Sequence, residues 1–133
     1  AFNYFQKGLT LIYAGQETAA CKRPGLFEKD PVEWAGTDLS GLMRTLYRIK
    51  KDPLFASSSY EVRAGAGGMM LALHRQAGRS MFGVFSLRGR AGAVSVPVPE
   101  GQYVNLIDGS VFRCGDGRMS HSGEPVIFEI CPN

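Results

Sequence analysis

Gln16 and Glu17 are the polar residues of this chain best placed to do chemistry. They follow the apolar run of residues 9–13, which ends in a turn at Gly15. A near-continuous apolar run predicts a strand covered on both faces, as in a parallel sheet. A carboxamide and a carboxylate just past such a strand are candidates for binding a ligand, and Glu17 is the best candidate for a functional carboxylate. The alternative is that loop backbone or an arginine holds this carboxylate.

Other acidic residues and the histidines are weaker candidates. Glu28, Asp30 and Glu33 are spaced like calcium ligands, but the stretch lacks the glycine at the sixth position and the distal glutamate of an EF-hand loop. We therefore predict no metal site. His74 and His121 are the two histidines, and neither is followed by aspartate. Both fall in strand or hairpin segments, where we expect a surface role.

Trp34 lies in a long irregular segment, residues 18–37, which is punctuated by proline and glycine. Loops longer than about 12–15 residues tend to be functional or disordered. The indole of Trp34 could stack on the apolar face of a sugar ring. The alternative is that it anchors the loop by burial, together with Leu26, Phe27 and Val32.

Two helices are predicted before the middle of the chain. Residues 1–7, followed by Gly8, suit the last turns of a helix with a glycine C-cap. A longer helix is predicted over residues 38–51, because Asp38 can cap its start, apolar residues recur at helical spacing, and Pro53 stops it. Its apolar stripe consists of Leu39, Leu42, Met43, Leu46 and Ile49.

From about Tyr60 the apolar period changes to two residues. Short apolar segments are then separated by turn signals such as Asp108-Gly109 and Asp116-Gly117. Asp-Gly between apolar strands is a strong hairpin signal, and short strands at regular spacing indicate an antiparallel sandwich or barrel. The predicted strands are 69–75, 81–87, 93–98, 103–107, 111–114 and 126–130. We predict a mainly β chain, an antiparallel β-sandwich with the 38–51 helix packed beside it.

Composition limits the classes of function. The chain has 133 residues, 44% of them hydrophobic and 20% charged, which fits a folded domain and argues against disorder. Its net charge is +3, and its arginines are scattered, so nucleic-acid binding is not expected. No apolar run approaches the length of a membrane span. The glycines of residues 65–68 lack the Lys-Ser/Thr of a phosphate loop, and no cofactor is predicted.

The three cysteines, Cys21, Cys114 and Cys131, are an odd number with no CxxC spacing. A disulfide framework normally has an even count in a secreted context. We therefore expect reduced thiols in a cytoplasmic protein. The alternative is that Cys114 and Cys131, which fall on neighbouring predicted strands, pair in an oxidising compartment.

Residues 8–17 resemble the eighth barrel strand of the α-amylase family, glycoside hydrolase family 13. In that family a glycine and a short apolar stretch lead into Ile-Tyr-Tyr-Gly, then Gln or Asp, then Glu. Here residues 12–17 read IYAGQE, with Ala14 in place of the second tyrosine, and Thr10 stands where proline is usual.

The resemblance extends over essentially the whole chain. Residues 26–34, which end in Glu-Trp, look like the segment after the family's eighth strand. The predicted helix with its Pro53 stop is similar to the last barrel helix. The strands from Met81 onwards, including the turn in residues 101–109, resemble the small β domain that follows the catalytic barrel.

This resemblance implies the C-terminal part of an α-glucan-acting glycosidase or transglycosylase. A (β/α)₈ barrel takes about 250 residues, so residues 1–57 would be the end of the barrel: a helix, the strand 9–13, a loop and the helix 38–51. Residues 58–133 would be the β domain. The family's catalytic Asp and Glu, on the fourth and fifth barrel strands, have no counterpart here. No catalytic residue is predicted, and the chain alone is expected to be inactive.

The resemblance also implies roles for the candidate residues and partners. Gln16 and Glu17 would support the shape of the sugar pocket in the parent enzyme, and Trp34 is the candidate for sugar stacking. The expected partner is the rest of the parent barrel, and α-glucan would be met only through that parent. Because unpaired strand edges are templates for association, residues 1–17 are also candidates for a homodimer contact.

A rival prediction is an independent carbohydrate-binding module. That function needs two or more exposed aromatic side chains on one face of the sandwich. The candidates on the strands are Phe82, Phe85, Tyr103, Phe112 and Phe128. Alternation places Phe85, Tyr103 and Phe128 on the buried side, which favours the structural role.

Overall fold

The computed structural model of the chain describes residues 1–22, 25 and 27–130. Its α-helices lie before residue 58 and its strands after it. The helices are α1 (Phe2–Phe5), α2 (Ser40–Lys50) and α3 (Leu54–Ser57). The strands are β1 (Ser59–Ala64), β2 (Met69–Gln76), β3 (Arg79–Ser86), β4 (Gly92–Ser95), β5 (Gly101–Val104), β6 (Val111–Gly115), β7 (Arg118–His121) and β8 (Val126–Ile130).

These strands form two four-stranded antiparallel sheets within the described residues. Sheet A has the order β1-β2-β3-β8, and sheet B has the order β4-β7-β6-β5. Buried side chains from the two sheets meet in one core, for example Phe82 and Phe128 from sheet A with Val94 and Met119 from sheet B. The mainly β, antiparallel sandwich predicted from the sequence is therefore confirmed.

The six predicted strands are all present, but the apolar pattern missed β1 and β7. β1 is an edge strand of sheet A and is exposed along almost its whole length, so it shows no apolar alternation. β7 has four residues, of which Met119 and His121 point inward. It follows Asp116 and Gly117, whose φ angles of 52° and 66° suit a tight hairpin turn. Short, polar strands give too weak a pattern to be recognised.

Sheet A is covered on both faces. Its inner face packs on sheet B, and its outer face packs on α1, α2 and α3 in a second apolar cluster. This double cover explains why five consecutive residues of β3, from Met81 to Phe85, are buried. The buried members of the second cluster are Phe5, Leu46, Leu54, Phe55, Ala72, Met81, Phe85 and Ile127.

Gly83 allows α1 to approach sheet A closely. A Cβ atom at this position would lie 2.5 Å from the Phe85 ring and 3.2 Å from the Phe5 ring. The ring of Phe5 lies 5.4 Å from those of Phe55 and Phe85, between α3 and the sheet. A side chain larger than glycine at position 83 would therefore displace the ring that attaches the N-terminal segment.

The longer predicted helix is confirmed, and the shorter one is reduced to a single turn. α2 begins at Ser40, whose N–H donates to Asp38 Oδ1 over 2.8 Å, and Leu46 is its most deeply buried residue. α1 ends at Phe5, before the expected C-cap at Gly8, although Gly8 does have a positive φ of 92°.

The strand predicted over residues 9–13 is not formed, which corrects the sequence analysis. These residues pair with no strand in the described part of the chain, and Leu9 and Leu11 are exposed. A strand satisfies its backbone N–H and C=O groups through a neighbouring strand. The apolar run has no such neighbour here, so the pattern of a buried strand is present without the sheet.

The surface role predicted for the two histidines is wrong. His74 on β2 is fully buried, and His121 on β7 is 9% exposed. His74 lies on the outer face of sheet A, where its ring nitrogens are within hydrogen-bond distance of Ser58 Oγ and the Phe5 carbonyl oxygen. A polar ring can be buried when its hydrogen bonds are satisfied.

An ion triad also attaches the helices to sheet A. Arg79 on β3 donates to both carboxylate oxygens of Asp52, over 2.8 and 2.6 Å, and to Glu129 on β8. Asp52 also accepts from the N–H of Leu54 at the start of α3. The connection between α2 and α3 is thereby held against the end of two strands.

We expect Phe5→Ala to lower the free energy of unfolding by about 3–5 kcal/mol, the usual cost of truncating a buried phenylalanine. Urea unfolding followed by circular dichroism measures this change. Leu9→Ala, at a fully exposed leucine only four residues away, is the control and should stay within about 0.5 kcal/mol of wild type. Equal effects of the two substitutions would contradict the packing of α1 on sheet A.

Candidate functional site

The candidate site is the tight turn after the apolar run. Gly15 is buried in a left-handed conformation with φ of 96°, and residues 16–18 form a single 3₁₀ turn. A Cβ atom on Gly15 would lie 3.1 Å from Val32 Cγ1. Both the positive φ and this close contact favour glycine, so a larger residue at position 15 would strain the turn.

The side chains of Gln16 and Glu17 fold back onto this turn. Gln16 Oε1 accepts a hydrogen bond from the Tyr13 N–H over 2.7 Å, and Glu17 Oε2 accepts one from the Gly15 N–H over 2.9 Å. Both residues therefore stabilise the turn's backbone. This geometry agrees with the alternative in which loop backbone holds the carboxylate. Their support of a sugar pocket stays a prediction.

The turn is joined to α2 and to the loop before it. The Leu39 N–H donates to the Glu17 carbonyl oxygen over 2.8 Å. Gly36 approaches Thr18 so closely that a Cβ atom would lie 1.7 Å from the Thr18 carbonyl oxygen. Helix α2 and the end of the long loop thereby position the turn that carries Gln16 and Glu17.

Asp30 is the other acidic residue with a defined set of partners. It forms an ion pair with Lys22 and accepts a hydrogen bond from the Gly25 N–H over 2.8 Å. The hydrogen bond from Lys22 is the main reason that the pKa of Asp30 lies below its ordinary value. Glu28 and Glu33 are exposed. Among the described residues, no three acidic, histidine or cysteine side chains are grouped as metal ligands.

The cavity beside the turn is small. Its volume is about 30 Å³, and its lining includes Ala14, Lys22, Asp30 and Val32. Such a volume is about that of one water molecule. This cavity has no room for a sugar ring. A second cavity, of about 170 Å³, lies just after the turn, and its lining includes Ala19, Cys21 and Gly36.

The expected burial of Trp34 and Phe27 is wrong. Trp34 is 60% exposed and Phe27 is 97% exposed, while Val32 is half-buried. Leu26 lies outside the described residues. The loop is held by local polar contacts, such as the ion pair and the hydrogen bond of Asp30. These contacts take the role that was expected of the apolar side chains. The exposed indole of Trp34 is accessible to a ligand, and its stacking on sugar stays a prediction.

The aromatic side chains of the sandwich do not form an exposed binding face. Phe82, Phe85 and Phe128 are buried. Tyr103 and Phe112 are half-buried and pack on Phe128 with ring centroids 4.9 and 5.1 Å away. An independent carbohydrate-binding module needs two or more exposed aromatic side chains on one face of the sandwich. None of the five candidates is exposed in this way.

Buried Cys114 lies in the core of the sandwich, and burial raises the pKa of its thiol. Cys131, its possible disulfide partner, lies outside the described residues. Cys21 is exposed in the loop after the turn. The helices of the described residues are all too short or too polar to cross a bilayer.

The sequence of the β domain identifies its family. Residues 61–128, just over half of the chain, match the family described as the bacterial α-amylase C-terminal domain. The chain belongs to this family. Among curated protein sequences, no match to the chain is found.

Solved structures of α-amylases share the fold of this α-amylase C-terminal domain. An α-amylase from Lactobacillus plantarum is 30% identical, with a TM-score of 0.79, over 94% of this chain and 30% of its own. A noncanonic maltogenic α-amylase from Thermotoga neapolitana is 18% identical, with a TM-score of 0.79, over 99% of this chain and 35% of its own. The chain thus spans about a third of the length of these enzymes.

We expect Glu17→Ala to speed amide hydrogen exchange at Gly15, and Gln16→Ala to speed it at Tyr13. Each substitution removes the hydrogen bond of one amide, and a net loss of about 0.5–1.5 kcal/mol corresponds to about a twofold to thirteenfold change. NMR-detected exchange measures both amides, so each variant is the control for the other. Glu17→Gln keeps an acceptor oxygen and should stay near wild type. Unchanged exchange at Gly15 in Glu17→Ala would contradict the bond.

Proposed function

We propose that this chain is the C-terminal part of an α-glucan-acting glycosidase or transglycosylase. In this proposal residues 1–57 complete a (β/α)₈ barrel, and residues 58–133 are a structural β domain that covers its end. The observation that carries the proposal is the apolar run beside the candidate turn: Leu9, Leu11 and Tyr13 are exposed in a chain that belongs to an α-amylase domain family.

The extent of the structural match supports this division. The family match begins at residue 61, but the Lactobacillus plantarum α-amylase matches 94% of the chain, which includes most of the residues before that point. The part before residue 58 therefore has counterparts in an α-amylase as well. About two thirds of that enzyme lies outside the match. We propose that this unmatched part corresponds to the other barrel strands of the parent.

The packing supports a structural role for the β domain. α1 and α2 share one apolar cluster with the outer face of sheet A. α1 precedes the apolar run, and α2 is bonded to the turn after it through Leu39 and Glu17. Sheet A thus holds both flanks of the proposed barrel strand, so the β domain would fix the position of that strand in the parent.

In this proposal the chemistry of the parent is supplied by residues outside this chain. A retaining glycosidase uses two carboxyl groups about 5–5.5 Å apart, one as nucleophile and one as general acid. Two carboxylates lie near the candidate turn. Glu17 accepts a hydrogen bond from the Gly15 N–H, and Asp30 accepts hydrogen bonds from Lys22 and from the Gly25 N–H. We propose that the catalytic pair lies on the other strands of the parent barrel.

The proposal names two partners that would cover the exposed side chains of residues 9–13. In the parent, neighbouring barrel strands would cover them. In the isolated chain, a second copy would do so, since burying an apolar side chain contributes about 1.5–3 kcal/mol and twofold dimers are the commonest oligomers. The parent is proposed to be cytoplasmic, which the odd cysteine count supports.

The purified chain is expected to show no turnover of starch, maltodextrin or nitrophenyl α-glucosides, because the carboxylate pair is supplied by the parent. Reducing-sugar and chromogenic assays test this expectation. Turnover above background that survives separate Glu17→Ala and Asp30→Ala substitutions would show that the chain has its own catalytic machinery.

The upstream coding sequence of the parent is expected to encode seven further barrel strands.

Sedimentation at micromolar concentration tests the association of the isolated chain. A dimer that becomes monomeric on Leu11→Asp is expected, because Leu11 is 77% exposed and lies at the centre of the apolar run. Val111→Asp is the matched control, since Val111 is 64% exposed but lies on β6 of sheet B. A wild-type chain that is monomeric throughout would rule out the homodimer and leave the parent barrel as the occupant.

A further inference from the structure

His74 links three elements that are distant in sequence. Its Nδ1 lies 2.7 Å from Ser58 Oγ, and its Nε2 lies 2.8 Å from the Phe5 carbonyl oxygen. Ser58 joins α3 to β1, Phe5 is the last residue of α1, and His74 itself is on β2. The imidazole is therefore the buried polar contact between sheet A and the N-terminal segment.

The partners of the ring determine its protonation state. The Phe5 carbonyl oxygen can only accept, so Nε2 carries a hydrogen and donates to it. In a neutral ring Nδ1 is then an acceptor, and it takes the hydrogen bond of the Ser58 hydroxyl. A second proton on Nδ1 would remove this acceptor and place a full positive charge in the outer-face cluster.

The surroundings of the ring are poorly suited to that charge. His74 is fully buried, and the rings of Tyr60 and Phe55 lie 4.5 and 4.4 Å from it. An aromatic face can attract a cation, but the ammonium of Lys50 already lies 4.9 Å over the Phe55 ring. Burial of a charge without a compensating partner is unfavourable.

The charged groups packed around His74 oppose a proton further. Lys7 Nζ donates to the Ser58 carbonyl oxygen over 2.6 Å, and Lys50 Nζ on α2 donates to the Gln6 carbonyl oxygen. The Tyr60 hydroxyl on β1 donates to Gln6 Oε1 and is neutral below its raised pKa.

The remaining titratable groups of this face do not offset the two ammonium groups. The carboxylates of Asp52 and Glu129 are bound to Arg79. The amino group of Ala1, at the start of α1, is a further cation whose pKa burial lowers. A protonated His74 would thus join other positive charges.

We propose that His74 is a pH-dependent latch, which when neutral holds the segment of residues 1–7 on sheet A and when protonated releases it. Released residues 1–7 would expose the ring of Phe5 and free the start of the apolar run from the β domain. The latch is independent of any catalytic activity of a parent enzyme.

The direction of the pH dependence follows from the ring's environment. Burial lowers the pKa of His74 below the ordinary value of 6.5. The hydrogen bond to the Phe5 carbonyl oxygen opposes this shift, and the charges of Lys50 and Lys7 add to it. Below about pH 6.5 the released state binds more protons than the latched state. The ratio of latched to released chain should then fall with decreasing pH, by at most about tenfold per pH unit for one proton. Above about pH 7 the contribution of His74 to this ratio should be constant, and any remaining pH dependence there would come from the amino group of Ala1.

Imidazole ¹⁵N NMR of the full chain tests the protonation state directly. His121→Gln leaves His74 as the single histidine and removes a second ring whose pKa burial also lowers. The expected spectrum at pH 7.5 shows a protonated Nε2 and an unprotonated Nδ1, with a midpoint below pH 6.5. A midpoint at or above 6.5, or a protonated Nδ1 at pH 7.5, would overturn the proposal.

Amide hydrogen exchange of the same His121→Gln chain, corrected for the intrinsic effect of pH, tests the release. The Phe5 amide should lose protection between pH 7 and 5. The Ile127 amide, which donates to Asn105 Oδ1 within the β domain, should keep its protection. Adding His74→Gln should abolish the pH dependence at Phe5. Loss of both protections together, or of neither, would mean that His74 does not act as a latch.

Discussion

Burial of sheet A on both faces is the constraint on which the rest of the structure depends. β2 and β3 can satisfy it only if sheet B covers one face and α1, α2 and α3 cover the other. Phe5 is the residue that closes the outer face, and Gly83 leaves the space for its ring. Without the N-terminal segment this face would expose Phe55 and Phe85, so residues before and after position 58 share one apolar cluster.

Polar contacts on this face act differently from the apolar packing, because each joins specific atoms. Arg79 holds the α2–α3 connection through Asp52, where the ion pair is half exposed and therefore contributes modestly to stability. His74 joins Phe5 and Ser58 where water is excluded, and its bonds require one tautomer. The buried contact is consequently the one that can respond to pH near neutrality.

The turn that carries Gln16 and Glu17 shows how a candidate site can be positioned without being complete. Leu39, the residue before α2, bonds to it on one side, and Asn3 on α1 bonds to Leu11 before it. Both helices rest on sheet A, so the β domain sets the orientation of the turn. The cavity lined by Ala14 and Val32 is small, and Leu9, Leu11 and Tyr13 before the turn are exposed.

Local patterns in the sequence determined α2, six strands and the turn at Asp116-Gly117, because helical spacing, alternation and turn residues act over a few neighbours. Residues 8–17 pointed to α-amylases, and the match of residues 61–128 to the bacterial α-amylase C-terminal domain agrees with that resemblance. The sequence did not reveal β1 and β7, whose residues are too polar to show alternation, nor the burial of His74, which depends on Phe5 and Ser58 from distant positions. It predicted a strand at residues 9–13, but a strand exists only beside a partner. Whether that apolar run is paired or exposed is decided by tertiary structure, since backbone hydrogen bonds of a strand are made between segments and not within one.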